Sequence, residues 1–157
     1  MVKRKRQRLV SMMANKFIWI ITLFVFSLAS AQKKIIANFN NDTIKDTLFF
    51  NFNDIENSKG QPYCKVEIIT GKLNKKYNFN LYYVGFPIID NCGDGCISLF
   101  DSTKDTEYTQ EYTFCPKYDT WILSKDETYD RIRDEIVQDN LPKDYYLSID
   151  EKKYKKE

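Results

Sequence analysis

Residues 34–53 read K-I-I-A-N-F-N-N-D-T-I-K-D-T-L-F-F-N-F-N, and this stretch decides the fold. Two runs rich in Ile and Phe, 34–39 and 47–53, flank a polar loop spanning Asn38 to Asp46. β-Branched and aromatic side chains suit a pleated, half-buried surface, so both runs read as strands turned one into the other by the loop. The loop carries oxygen-bearing side chains at its first, third, fifth and ninth positions, namely Asn38, Asn40, Asp42 and Asp46, with the carbonyl of Ile44 at the seventh. A short loop uses this spacing to wrap a hard cation such as calcium. Only two of the ligands are charged, Lys45 lies between them, and no glutamate closes the loop, so the calcium site expected here is weak. The other reading is a turn in which Asn and Asp side chains bond nearby backbone amides.

Outward from the loop, the chain keeps a period of two. Cys64, Val66 and Ile68 alternate with Lys65 and Glu67 within 63–70, and Tyr77, Phe79, Leu81 and Tyr83 alternate with polar partners. Ile88 and Ile89 lead into a glycine-rich turn, D-N-C-G-D-G-C, followed by a short strand at 96–100. Tyr108, Gln110, Tyr112 and Phe114 form one side of a strand that a turn at 116–120 joins to Trp121-Ile122-Leu123 as a hairpin. Tyr129, Ile132, Ile136 and Val137 then recur at helical spacing, which predicts a short helix between Asp126 and Asn140, ended by Pro142. Y-Y-L-S-I, 145–149, reads as a closing strand, and K-K-Y-K-K beyond it as a solvated tail. The fold expected is mainly β: a single antiparallel sandwich or barrel-like sheet with one short C-terminal helix.

The first residues follow a different plan. Lys3, Arg4, Lys5, Arg6, Arg8 and Lys16 precede an apolar run from Phe17 to Leu28, which ends in Ala29-Ser30-Ala31. A basic head, a short apolar segment and an A-x-A site make a secretory signal peptide over residues 1–31, with Met1, Met12 or Met13 as the start. The run is too short to span a membrane, so no span is expected once it is removed. Those six basic residues belong to 24 in all, and no acid lies among residues 1–31; the domain 32–157 therefore holds 18 basic against 22 acidic residues, a net charge of −4. A mildly acidic domain without a Lys/Arg stripe makes a poor nucleic-acid binder.

Export frames the four cysteines. An even count outside the cytoplasm favours disulfides. Cys92 and Cys96 flank Gly93-Asp94-Gly95 and are placed to close across a tight turn; Cys64 and Cys115 would then join two distant strands. Metal binding by these cysteines is the weaker alternative, because the chain has no histidine and no C-x-x-C pair. The missing histidine also removes the commonest general base and every Ser-His or Cys-His nucleophile. What remains for catalysis is a pair of carboxylates. The aromatic residues follow strand periodicity and read as core and rim.

The segment F-N-N-D-T-I-K-D-T-L resembles the D-x-N-x-D-G-x-x-D calcium loop of FG-GAP and VCBS repeats, with Asn38 in place of the first Asp and Thr43 in place of the Gly. The hairpin carrying T-W-I-L-S-K is similar to the Trp-containing strand late in such chains. The resemblance implies a small exported bacterial protein with one such loop near its mature N-terminus, and more distantly a likeness to periplasmic immunity proteins that inhibit cell-wall lysozymes. The expectation is a periplasmic or secreted, non-enzymatic binding module for an unknown protein partner. Two other readings stay open: a carboxylate-based glycan hydrolase or glycan-binding envelope protein, and a purely structural envelope component.

Overall fold

The computed structural model describes residues 32–156, apart from the side chains at 53–55; residues 1–31, read above as a signal peptide, lie outside them. The described chain forms two antiparallel meanders. The first sheet has the order β1-β2-β3-β4, from Lys33–Ala37, Asp46–Glu56, Pro62–Ile69 and Lys76–Tyr82. The second has the order β5-β6-β7-β8-β9, from Ile88–Gly93, Cys96–Ser102, Thr106–Cys115, Thr120–Asp130 and Glu135–Asp139. A small ribbon pairs β10, Tyr145–Leu147, with β11, Lys153–Lys155.

Alternation sets the two layers. In β3, Cys64, Val66 and Ile68 are buried, while Lys65 between them is exposed. Leu48, Phe50, Phe79 and Leu81 join them from the first sheet, and Ile89, Ile97, Leu99, Trp121 and Leu123 meet them from the second, in one hydrophobic core. Burying each of these side chains stabilises the fold by about 1.5–3 kcal/mol. Of the expected antiparallel sandwich or barrel-like sheet, the mainly β, antiparallel architecture is present, as two sheets that share one core. The chain passes between sheets at 83–87, and this crossover is stitched to β6: the buried Asp101 carboxylate accepts the backbone N–H groups of Val84 and Gly85, and Phe86 N–H donates to the Ser102 carbonyl at 3.0 Å.

The expected helix at 126–140 is not there. β8 runs on to Asp130 and turns back into β9. Asp130 holds the turn, its Oδ1 accepting from the amides of Ile132 at 2.8 Å and Arg133 at 3.0 Å, and Asp134 adopts φ 60°. The helical spacing was a coincidence of a short window. A helical stripe forms to be buried, yet Ile132 is 77% and Ile136 58% exposed, and the β-branched and aromatic content of the segment favours strand. Two further differences matter for the site. Residues 88–93 form a paired strand, not a lead-in to a turn, and the C-terminal lysines are anchored through β11.

Between Glu111 and Tyr112 the β7–β8 register slips by one, so Ser124 is an extra residue opposite β7. A bulge reverses the phase of every side chain beyond it. Trp121 and Leu123 point into the core before it; Asp126 lines the inter-sheet slot and Thr128 is buried after it.

Candidate functional site

The Asn38–Asp46 loop closes on itself. Asp42 N–H donates to Asn38 Oδ1 at 3.1 Å and to Asn40 Oδ1 at 3.2 Å. Asp42 Oδ1 accepts from Ile44 N–H at 2.9 Å, and its Oδ2 accepts from the Asn40 amide at 3.1 Å. Asp46 is fully buried and spends one oxygen on each of two amides, Phe39 and Gly71, both at 2.9 Å. Burial pushes the Asp46 carboxyl up, the amides of Gly71 and Phe39 pull it down, and the charge of Asp42 adds to the rise. Thr43 stands at φ 71°, a left-handed conformation that favours glycine.

The loop's backbone binds the rest of the domain. The Asn38 carbonyl accepts from Gly95 N–H at 2.7 Å, in the β5–β6 turn. The Phe39 carbonyl accepts from the Trp121 indole Nε1 at 2.7 Å, from the opposite sheet, and Gly71 belongs to the β3–β4 turn. Asn38, Asn40 and Asp42 are joined by hydrogen bonds and Asp46 ties the loop to the β3–β4 turn, while the carbonyls of Asn38 and Phe39 make the loop a clasp onto the second sheet. Internal hydrogen bonds already hold its shape.

The cysteines divide. Cys92 and Cys96 form the expected disulfide across the β5–β6 turn, with Cα atoms 5.1 Å apart. Cys64 and Cys115 are free, against the pairing considered above. Cys64 lies near the start of β3 and Cys115 at the end of β7, and the meander puts these at opposite ends of the sandwich. Burial pushes the Cys64 thiol up to about 12, so it is an inert core group. The Glu111 carboxylate comes within 4.8 Å of the Cys92 and Cys96 sulfurs, but disulfide sulfurs are not the thiolate ligands that a metal needs.

Among the concave features lined by the described residues, two differ in charge. One is a slot of about 320 Å³ between the edge of β4 and the 147–151 turn. Tyr82, Tyr83 and Tyr108 line it with Asp101, Asp126 and Glu151, and no lysine or arginine does. Burial raises the Asp126 carboxyl against hydrogen bonds from Gln110 and Asn140. The Tyr112 hydroxyl is held well above the usual phenol range by burial, and by the charges of Asp126 and Glu151.

The other is a groove of about 640 Å³ on the outer face of β7 and β8, roofed by residues 141–146. Ile122 gives it an apolar floor and Leu141 and Pro142 an apolar roof; Tyr118, Tyr145 and Tyr146 form its walls, and among the described residues no carboxylate lines it. Each wall tyrosine carries an ammonium over its ring: Lys117 at 5.3 Å from Tyr118, Lys153 at 4.7 Å from Tyr145, and Lys156 at 5.3 Å from Tyr146. Tyr154 stacks on Tyr118 with centroids 4.2 Å apart, and Lys156 Nζ donates to the carbonyls of Pro142 at 2.7 Å and Lys143 at 3.0 Å. The K-K-Y-K-K segment, expected as a solvated tail, therefore builds the groove. The signal was present in the sequence: an aromatic residue alternating with lysines is a strand pattern.

Fold and site together define a small two-sheet β domain with a structural clasp at one end and a cationic, tyrosine-walled groove on one face. No known protein family, curated protein or solved structure matches the chain.

Proposed function

We propose that this protein is an exported, non-enzymatic binding module, of the inhibitor or immunity type, which recognises a protein partner through the tyrosine–lysine groove. The groove carries the reading. Its volume falls within the 300–1,000 Å³ typical of ligand sites, and it combines an apolar floor with amphipathic aromatic walls. Tyrosine offers large contact area at low entropic cost, as in recognition surfaces generally. The absence of histidine from the chain supports the non-enzymatic part, and the basic head, apolar run and A-x-A site support export.

The test is co-purification of partners from periplasm or culture medium, using the intact protein and a Ser124→Phe variant. Ser124 is exposed and lines the groove, so phenylalanine there fills it without entering the core. We expect any partner retained by the intact protein to fall at least tenfold with the plugged form, about 1.4 kcal/mol of binding. Equal recovery would move recognition to another surface.

The slot favours a second reading, a glycan hydrolase or glycan-binding protein, because tyrosines and carboxylates converge there and Asp126 has a raised carboxyl, as a general acid needs. Release of reducing ends from cell-wall glycan, abolished by Asp126→Asn, would establish it in place of the first.

The clasp adds a proposed weak calcium site at Asn38, Asn40, Asp42, Asp46 and the Ile44 carbonyl. The oxygens of Asn38 and Asn40 share one donor, and the Asp42 and Asp46 charges repel, a repulsion a cation would relieve. Two carboxylates imply a dissociation constant of about 1 mM. At about 5 mM calcium this stabilises by about 1 kcal/mol and raises Tm by about 2–5 °C relative to EDTA. A calcium-independent midpoint would remove the ion from the reading.

A further inference from the structure

We infer that the groove takes an acidic segment of a partner protein, one that inserts an aliphatic or aromatic side chain between flanking carboxylates. The inference rests on the proposal that the groove is the recognition surface, and goes beyond it by fixing the chemistry of what binds there. Charge complementarity is the main argument. The domain as a whole carries more acids than bases, yet among the described residues no carboxylate lines this groove, and each of its three wall tyrosines holds a lysine ammonium over its face. A local cationic rim on an acidic domain selects an anionic partner and repels a basic one.

The shape selects a chain segment. Ile122, Leu141 and Pro142 line the groove with apolar surface and the lysines lie over its tyrosine walls, so the favourable occupant is amphipathic, with an apolar side chain in the groove and charges toward the lysines. This is how interfaces generally divide an apolar centre from a polar edge. A membrane surface is convex or flat on this scale and does not enter a concave groove. Nucleic-acid readers use arginine-rich or extended basic surfaces, and no arginine lines this one. The rim is also fixed in place, because Lys156 is tied to the carbonyls of Pro142 and Lys143 while Tyr154 stacks on Tyr118. A preordered rim loses less entropy on binding.

The test uses three capped hexapeptides titrated into the purified protein at low salt: Asp-Glu-Phe-Leu-Glu-Asp, its amide counterpart Asn-Gln-Phe-Leu-Gln-Asn, and a version with lysine at the four charged positions. Tyrosine fluorescence and amide chemical shifts report binding. We expect the acidic peptide to bind about tenfold more tightly than the amide form, with that preference lost at high salt, and the lysine peptide not to saturate. The double variant Lys117→Glu, Lys153→Glu should abolish the preference; Ser124→Phe should abolish binding of both peptides, which keeps the test decisive should the lysine variant misfold. Equal binding of acidic and amide peptides overturns the acidic-segment inference and leaves the groove as a recognition surface. Binding that survives Ser124→Phe, or binding of anionic phosphatidylserine vesicles in place of peptide, overturns the inference and counts against the groove reading as well. If none of the three peptides binds while a natural partner is still lost with Ser124→Phe, the inference fails alone.

Discussion

Trp121→Ala is expected to remove about 4 kcal/mol of stability, read as a drop in the urea midpoint by far-UV circular dichroism. Trp121 is fully buried at the start of β8. Its ring meets Tyr77 at 5.0 Å and Phe79 at 6.2 Å from the first sheet, and Phe114 at 5.1 Å from its own. Deleting a buried large aromatic side chain costs about 3–5 kcal/mol through lost transfer energy and the cavity left behind. The indole also makes the 2.7 Å bond to the Phe39 carbonyl, which alanine leaves without that donor. Leaving a buried acceptor unsatisfied costs about 1–3 kcal/mol. Trp121→Phe separates the two contributions in large part, since it keeps much of the apolar volume while removing the N–H. We expect it to cost about 1–2 kcal/mol on those grounds. Domains of this size have a total stability of about 5–15 kcal/mol, so the alanine variant should stand close to unfolding at 37 °C. A loss under about 1 kcal/mol for Trp121→Ala would show that the two sheets do not depend on this contact.

The layers were legible because strand alternation is strict where one face is buried. The pattern at 63–70 and 77–83 assigns Val66, Ile68, Phe79 and Leu81 to the core, and all four are there. The helix expected over 126–140 failed for a definite reason. Tyr129, Ile132, Ile136 and Val137 satisfy a period of 3.6 only if they share a buried face. The chain instead turns at Asp130–Asp134, which leaves Ile132 in solvent in the turn and Ile136 and Val137 in solvent on the edge strand β9. Local spacing does not record which surface the rest of the chain will cover. The groove was hidden for the same reason. Its floor comes from β7 and β8 and its roof from 141–146, so it exists only once Tyr154 docks on Tyr118. The Ser124 bulge was equally invisible, since one extra residue leaves no mark on a window of alternating side chains. The Asn38–Asp46 loop was the reverse case. Its short-range oxygen spacing is a local property, and the Asn38, Asn40 and Asp42 side chains bond the loop's own amides, as the turn reading expects.

How much the clasp contributes can be measured at Asp46. Asp46→Ala is expected to cost about 2–4 kcal/mol, since it strips the acceptor from two backbone amides at once and each orphaned donor costs about 1–3 kcal/mol. The two amides differ in how far water can replace the lost carboxylate. Phe39 is fully buried and its N–H faces a buried side chain, whereas Gly71 sits in an exposed turn. Most of the loss should therefore come from the Phe39 side, and its amide should lose hydrogen-exchange protection by a larger factor than the amide of Gly71. Gly71→Ala gives the complementary perturbation. A Cβ at that position would run into the Lys45 carbonyl, so the β3–β4 turn must move away from the loop. If Asp46 acts as the joint between the two, the Gly71→Ala and Asp46→Ala losses will be far from additive, because each breaks the same contact. Additive losses would mean that the turn and the loop are stabilised separately. A neutral Asp46→Ala, with Phe39 still protected, would leave the loop a surface turn held to the second sheet through Trp121 and Gly95.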